Sequence, residues 1–164
     1  MALLLRAATC DDVPFLREML YEAVYWRSIS HKDNPPVDEG LAAPGVSNAL
    51  DDWCEREGDT AIVAVLDSIP VGAAWYRFYR TSNAIRGYID EITPVLVIAV
   101  AREHRRSGIG TRLLTCLIER ASEQGIHRLS LMASNDNHAY ALYKKCGFQV
   151  YANADSSRLM VRHV

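Results

Sequence analysis

Three kinds of pattern are missing from this 164-residue sequence, and each absence excludes a class of function. Metal sites come first: no Cys-x-x-Cys pair occurs and the five histidines are scattered, so the ligand spacing of a zinc site is absent. The four cysteines, which lie far apart, are Cys10, Cys54, Cys116 and Cys146. We therefore expect free thiols in a reducing compartment and no metal.

Excess charge and long apolar runs are missing as well. The formal net charge of −2 gives no bulk attraction to nucleic acid or to an anionic membrane, so any anion site must be local. Residues 1–6 begin with an apolar run shorter than the ~7–15 residues of a signal-peptide core, and no run approaches the ~20 residues of a spanning helix. These absences predict a cytoplasmic protein with neither a nucleic-acid nor a membrane partner.

Apolar periodicity predicts strands and helices within one domain. The length fits a single domain over residues 1–164, because domains commonly contain about 100–150 residues. Short apolar runs predict strands at 3–7, 60–66, 71–79, 95–100, 126–132, 148–151 and 159–164. Three- and four-residue spacing predicts helices at about 13–26, from Gly108 to Gly125, and at 137–145. The strand–helix–strand order over 95–132 predicts that these two strands run parallel.

Residues 28–48 interrupt this pattern with several prolines and glycines. We expect a long loop with at most a short helical turn, either a functional loop or a connector between elements. Ser47 is placed to cap a second helix, in which Leu50 and Trp53 would face inward.

A glycine-containing turn at residues 105–110, Arg-Arg-Ser-Gly-Ile-Gly, joins the apolar strand at 95–100 to the next helix. Gly108 and Gly110 lack a Cβ atom, so an anion can approach the backbone where the helix dipole adds positive charge. Arg105 and Arg106 add cationic donors, although solvated charge at a helix start is the alternative interpretation. The pattern predicts a phosphate or pyrophosphate site.

Two common nucleotide patterns do not fit this turn. A Walker loop needs Gly-x-x-x-x-Gly-Lys-Ser/Thr, and that string does not occur. A dinucleotide fingerprint needs a third glycine at the position of Leu113. The remaining pattern, Gln/Arg-x-x-Gly-x-Gly/Ala after a buried strand, resembles the coenzyme A loop of the GNAT acetyltransferase superfamily.

A second segment, residues 136–148, strengthens this resemblance. It is similar to the superfamily's Asn-x-x-Ala-x-x-Leu/Phe-Tyr-x-x-x-Gly-Phe signature, with Asp136 at the usual Asn position between Asn135 and Asn137. The residues that fit are Ala139, Leu142, Tyr143, Gly147 and Phe148. Residues 72–77 and 90–94 look like those of an uncharacterised bacterial branch of the superfamily.

The resemblance implies an α/β fold of the α+β type, with a central mixed, mostly antiparallel twisted sheet flanked by helices on both faces. It also implies an N-acetyltransferase that uses acetyl-CoA as co-substrate and no metal, and in which a primary amine of a small molecule or peptide attacks the thioester directly. A catalytically weak acyl-CoA-binding sensor or regulatory module is the alternative. Many relatives pair through terminal strands, and the apolar residues 159–161 would suit such a homodimer.

The resemblance also implies which residues would hold the co-substrate. Strand residues would offer backbone groups to the pantetheine arm at Ile98, Ala99 and Val100. The phosphates would lie on Arg105, Arg106, Ser107, Gly108, Ile109, Gly110 and Thr111, and further contacts would come from Asn135, Asp136, Ala139 and Tyr143. Tyr143 is the candidate general acid for the departing thiolate, with a core tyrosine as the alternative.

The acceptor side rests on fewer residues. Glu91, next to Asp90, is the candidate general base, and solvated turn charge is the alternative. Aromatic walls suit the alkyl stem and the cation of an amine. The candidate acceptor contacts are therefore Trp26, Trp75, Arg77 and Glu91, with core packing as the preferred interpretation for Trp75. The sequence does not identify the acceptor amine.

Overall fold

A computed structural model describes residues 2–27 and 31–164, and this part of the chain forms one seven-stranded sheet with helices on both faces. Strand order is β1-β2-β3-β4-β5-β7-β6. The strands are β1 (Leu3–Ala7), β2 (Thr60–Leu66), β3 (Ile69–Arg77), β4 (Val95–Val100), β5 (Arg128–Ser134), β6 (Gln149–Asn153) and β7 (Ser157–His163). The helices are α1 (Val13–Val24), α2 (Val37–Leu41), α3 (Ile109–Glu123) and α4 (Ala139–Lys145).

The pairing between β4 and β5 sets the shape of the sheet. Every other neighbouring pair is antiparallel, whereas β4 and β5 run parallel, as their connection through α3 predicted. Their one bridge joins Val95 to Ser130, and beyond it the described part of β4 pairs with β3 alone. The two strands therefore diverge towards their carboxyl ends and leave an opening in the middle of the sheet.

Each face of the sheet has its own apolar core. On one face α3 buries Leu113, Leu114 and Leu117 completely, and Phe148 joins the same cluster. On the other face α1 buries Leu16 and packs against Trp75. Full burial of one such leucine contributes about 1.5–3 kcal/mol, so both helices are held mainly by these stripes. The predicted fold class is confirmed.

The segment that was predicted as a long loop contains more structure than expected. Residues 28–30 lie outside the described residues. The remainder includes α2 and short 3-10 turns at His31–Asp33 and Ser47–Ala49. Ser47 therefore begins a single turn rather than a full helix, and the positive φ angles of Asp52 (54°) and Cys54 (80°) prevent the helix from continuing. Leu50 is buried as predicted.

The terminal strands differ from the expected dimer surface. Strand β7, which carries residues 159–161, lies between β5 and β6, and Met160 and Val161 are buried inside this protein. Of these two C-terminal strands, the one at an edge of the sheet is β6, where Val150 and Tyr151 are exposed. The prediction that residues 159–161 present a dimer surface is wrong, because both edges of β7 are already paired.

A disulfide corrects the expectation of four free thiols. Cys10, just before α1, is bonded to Cys54, 44 residues later, with the Cα atoms 5.9 Å apart. Cys116 and Cys146 are free, and burial raises the pKa of both thiols. The disulfide fastens the start of α1 to the segment that follows Leu50. Sequence spacing could not reveal this pair, because the fold brings its two members together.

We expect reduction of this disulfide to destabilise the protein by about 2–4 kcal/mol, because an open chain gains conformational entropy mainly in the unfolded state. Urea unfolding with and without dithiothreitol measures the change. A Cys10→Ser/Cys54→Ser variant should match the reduced protein and show no further response to dithiothreitol. Mass spectrometry that finds all four cysteines alkylated without reduction would contradict the expectation.

Within residues 2–27 and 31–164, every helix is too short or too polar to cross a membrane.

Candidate functional site

The opening between β4 and β5 leads into a cavity of about 780 Å³, a volume within the usual range for small-molecule sites. At one end, which we call the loop end, it is lined by Arg105, Arg106, Gly108, Gly110 and Thr111. Its lining also includes Trp26, Arg27, Val46, Ile85 and Arg86, a group that we call the α1 end. Strand β4 and Tyr143 lie along the same cavity, so it connects most of the predicted site residues.

Strand β4 contributes an unpaired backbone edge to the cavity. The Ala101 N–H donates to the Val71 carbonyl at 2.8 Å, which fixes the alternation of the antiparallel pair. The backbone groups of Ala99 therefore face β3, while those of Ile98 and Val100 face the opening. Ile98 and Val100 are thus oriented as their predicted role requires, although the Val100 carbonyl already accepts from Arg105. Ala99 can line the cavity only through its side chain.

The glycine turn at the loop end presents N–H groups to the cavity. Gly108 precedes α3 with φ +85°, a conformation that glycine adopts without steric cost. A Cβ atom on Gly110 would lie 3.2 Å from Leu142 Cδ2, so this glycine permits close packing against α4. The first helical hydrogen bond runs from Arg112 N–H to Gly108 O, which leaves the N–H groups of residues 109–111 for another acceptor.

The two arginines of the turn differ in their contacts. Arg105 donates through Nε to the Val100 carbonyl and through Nη2 to Glu22 Oε2, both at 3.0 Å. Its guanidinium is thus engaged within the protein, although Arg105 also lines the cavity, and its phosphate contact stays a prediction. Arg106 is exposed at the cavity with φ +58°. Ser107 donates its hydroxyl to the His104 carbonyl and, like Ile109, does not line the cavity.

Glu22 on α1 is a cavity residue that the sequence analysis did not single out. Its Oε2 accepts from Arg102 Nε at 2.9 Å as well as from Arg105, and the side chain is largely buried. It is the one carboxylate that lines the cavity in the described part of the chain. The available signal was an acid within the otherwise apolar residues 19–24 of α1, but its partners lie about 80 residues away in sequence.

Tyr143 occupies the predicted position beside the cavity. Burial raises the pKa of its hydroxyl to about 12, so the group stays protonated and able to donate at neutral pH. Its ring meets Phe148 edge-on with centroids 6.2 Å apart, which fixes its orientation. Ala139, from the same signature, also lines the cavity.

The first residues of that signature do not reach the cavity. Asp136 is exposed and pairs with Arg27, whose Nε and Nη2 donate to it at 3.0 and 2.8 Å. This contact from Arg27 lowers the pKa of Asp136. Asn135 is also exposed and outside the cavity, whereas Asn137 and His138 line it. The predicted contacts from Asn135 and Asp136 are therefore not supported.

Three of the four candidate acceptor contacts lie elsewhere. Trp26 lines the α1 end as predicted. Trp75 and Arg77 share one face of β3, as alternation required, but that face is covered and both side chains are completely buried. Arg77 donates to Asp59 at 2.9 Å and to the carbonyls of Asn48 and Asp51. These two side chains are parts of the core rather than of the cavity.

The predicted base also lies outside the cavity. Glu91 is exposed in the turn before β4. Its neighbour Asp90 accepts from the backbone N–H groups of Ile92 and Thr93 and from Arg128. Burial opposes ionisation of Asp90, but the contacts with Thr93 and Arg128 outweigh it and lower its pKa. Asp90 therefore stabilises the turn, and Glu91 lies exposed on its surface.

No group of three or more His, Cys, Asp or Glu side chains is arranged to hold a metal ion within residues 2–27 and 31–164.

Comparison with known proteins finds acetyltransferases both among family models and among individual relatives. The family described as "Acetyltransferase (GNAT) family" matches residues 21–148. The L-methionine sulfoximine/L-methionine sulfone acetyltransferases of Pseudomonas aeruginosa and Pseudomonas paraeruginosa are 31% identical over 81 residues. That alignment covers 49% of this chain and 44% of each relative, so the match spans less than half of the relatives' length.

Solved structures share the fold over nearly the whole chain. The ribosomal-protein-alanine N-acetyltransferase of Brucella melitensis superimposes with a TM-score of 0.69 at 24% identity, covering 98% of this chain and 99% of that one. A phosphinothricin acetyltransferase from Sinorhizobium meliloti, in complex with acetyl-CoA, gives 0.67 at 19% identity, covering 100% and 89%. At these identities the likeness concerns the fold.

Proposed function

Because the chain belongs to the acetyltransferase (GNAT) family, we propose that it transfers an acetyl group from acetyl-CoA to a primary amine of a small molecule or peptide. The observation that carries this proposal is the continuity of one cavity from the glycine turn, past the open edge of β4, to the α1 end. A long, flexible co-substrate with phosphates at one end and a reactive group at the other suits that path.

The residues of the loop end suit the phosphates. The N–H groups of Gly110 and Thr111 precede the first helical hydrogen bond and lie at the cavity, at the positive end of the α3 dipole. A pyrophosphate is the kind of anion that such a turn binds. Arg106 adds an exposed cation beside them. Along β4, the backbone groups of Ile98 and the N–H of Val100 can bond to amides of the pantetheine arm as a further strand would.

Acetyl-CoA supplies the acetyl thioester and a thiolate leaving group. Tyr143, kept neutral by burial, would donate a proton to that thiolate. The outward-facing N–H groups of Ile98 and Val100 are available to stabilise negative charge on the acyl oxygen. Glu22, which lines the cavity, is held by two arginines, so we propose that the proton of the amine leaves to water.

The alternative function, an acyl-CoA-binding sensor, is favoured by one observation: neither Glu91 nor Asp90 lines the cavity. Turnover separates the two functions. We would measure CoA release across amines, amino acids, aminoglycosides and peptides, and acetyl-CoA binding by calorimetry. Binding with turnover supports the enzyme, binding without turnover supports the sensor, and absence of binding excludes both.

We expect Tyr143→Phe to slow turnover on the order of 100-fold while changing acetyl-CoA affinity little, because the substitution removes only a proton donor. Since the Tyr143 pKa is raised to about 12, the wild type should lose no Tyr143-dependent activity between neutral pH and pH 10. Tyr140→Phe on the same helix is the matched control, because Tyr140 lies outside the cavity. Normal turnover in Tyr143→Phe would remove it from the acid role.

We also propose a cytoplasmic location and a homodimer, with neither nucleic acid nor a membrane as partner. The exposed edge of β6 is the surface that supports pairing. Analytical ultracentrifugation tests the dimer, and a Tyr151→Lys variant should weaken it. Fractionation of cells that express the protein tests the location.

A further inference from the structure

The α1 end of the cavity carries an arginine that the transfer chemistry does not use. Arg86 lies in the connection between β3 and β4, is exposed, and lines the cavity beside Ile85. Its Nη2 donates to the Ser157 hydroxyl at 2.7 Å. Ser157 is almost completely buried and is paired across the sheet with Ser134, which also lines the cavity. One nitrogen of the guanidinium thus donates to Ser157, and its remaining N–H donors are available to a ligand in the cavity.

The backbone that carries Arg86 is firmly anchored. The Gly87 carbonyl accepts from Ser130 Oγ at 2.8 Å, and the Asn83 carbonyl accepts from Asn48 Nδ2 at 3.0 Å. Gly87 has φ +103°, and a Cβ atom there would lie 2.9 Å from Val95 Cγ1. Gly87 directly follows Arg86 and Asn83 precedes it by three residues, so these contacts fix the local backbone, and the hydrogen bond to Ser157 holds the guanidinium. Such preorganisation lowers the entropic cost of binding a ligand.

The charges around the cavity distinguish Arg86 from Arg27 and Arg105, while Arg106 lies at the loop end. Arg27 is neutralised by Asp136, and Arg105 by Glu22. In residues 2–27 and 31–164, by contrast, the polar side-chain partner of Arg86 is an uncharged hydroxyl. Glu22 is the one carboxylate that lines the cavity in this part of the chain, and two arginines already bind it. The α1 end is therefore electropositive.

The positive charge at the α1 end favours some acceptor amines over others according to their net charge. A polyamine or a lysine-rich peptide carries further positive charge, which Arg86 would repel. An amine that also bears a carboxylate would be attracted, because a guanidinium binds a carboxylate through two parallel N–H donors. The neighbouring walls, Trp26, Val46 and Ile85, are apolar and suit an uncharged side chain.

We propose that Arg86 binds the carboxylate of the acceptor, and that the acceptor is an α-amino acid with an apolar or uncharged side chain. This inference rests on the proposed acetyl transfer. It adds the class of substrate and the residue that selects it.

The test pairs each acid with its amide. We would measure kcat/KM for L-leucine, L-methionine and L-phenylalanine and for the three corresponding amides, in the wild type and in Arg86→Gln. We expect the acids to be preferred in the wild type, and Arg86→Gln to lose about 10-fold to 100-fold on the acids while the amides change little. Arg86→Lys should recover part of the loss. Arg80→Gln, in the same connection but outside the cavity, is the matched control.

Calorimetry on the CoA-loaded protein separates this inference from the proposed function. Acids that bind through Arg86 without any acetyl transfer would overturn the proposed function and retain the carboxylate site. Equal affinity for acids and amides, a preference for spermidine, or an equal loss on both ligand sets in Arg86→Gln would overturn the carboxylate site even if transfer occurs.

Discussion

Gly108→Glu is expected to abolish acetyl-CoA binding while leaving the protein folded. Gly108 has φ +85°, and a side chain there meets no atom within 4 Å, so the substituted residue fits in space. The left-handed backbone costs a non-glycine residue about 1–2 kcal/mol, and a negative charge near a helix N-terminus offsets part of that cost. The same carboxylate, however, lies at the loop end, where we propose that the pyrophosphate binds. Like charges in contact cost several kcal/mol, which corresponds to a loss of affinity of about 100-fold or more.

Gly108→Asn is the matched control for this experiment. Asparagine tolerates the left-handed conformation and carries no charge, so it should retain most of the affinity. Calorimetric titration with acetyl-CoA and with CoA measures binding, and circular dichroism verifies folding. An unchanged affinity in Gly108→Glu would count decisively against phosphate binding at the loop end.

Arg77→Ala is expected to cause the largest loss of stability, about 3–5 kcal/mol, because it leaves a buried carboxylate without its counter-charge. Arg77 is completely buried and Asp59 is 6% exposed, so water cannot replace the lost contact. The substitution also removes the donor to the carbonyls of Asn48 and Asp51. Since a domain is stable by only about 5–15 kcal/mol, a loss of this size is a large fraction of the total.

Arg17→Ala provides the control, because Arg17 pairs with Asp38 on the surface, where an ion pair contributes about 1 kcal/mol or less. Urea unfolding measures both variants. At a temperature where Arg77→Ala remains folded, we expect the KM for the acceptor to be unchanged, since Arg77 lies outside the cavity. A raised KM with normal stability would restore the substrate-binding role that the sequence suggested.

The sequence predicted best where function depends on local pattern. The glycine turn, the strand before it and the Tyr143 signature all act through neighbouring residues, and each lies at the cavity. Strand alternation also placed Trp75 and Arg77 correctly on one face of β3. It could not show whether that face meets a ligand or the core, because the answer depends on which distant segment covers it.

The contacts that the sequence did not reveal share this cause. Arg77 finds Asp59, Arg105 finds Glu22, and Cys10 finds Cys54 across 18, 83 and 44 residues of sequence. Such pairs are created by the packing of helices and loops on the sheet, and no periodic pattern encodes them. The same holds for Arg86, whose position at the α1 end depends on the path of the connection between β3 and β4.

The divergence of β4 from β5 has a consequence for the mechanics of the sheet. A single bridge between Val95 and Ser130 joins the half built from β1–β4 to the half built from β5–β7, so this seam should open more readily than the rest. A ligand that hydrogen-bonds to Ile98 and Val100 would occupy the place of a strand between β4 and β5 and would stabilise the contact between the two halves. Hydrogen exchange at these amides should then slow on ligand binding, and at a ligand concentration of 100 Kd the folded state would gain about 2.7 kcal/mol.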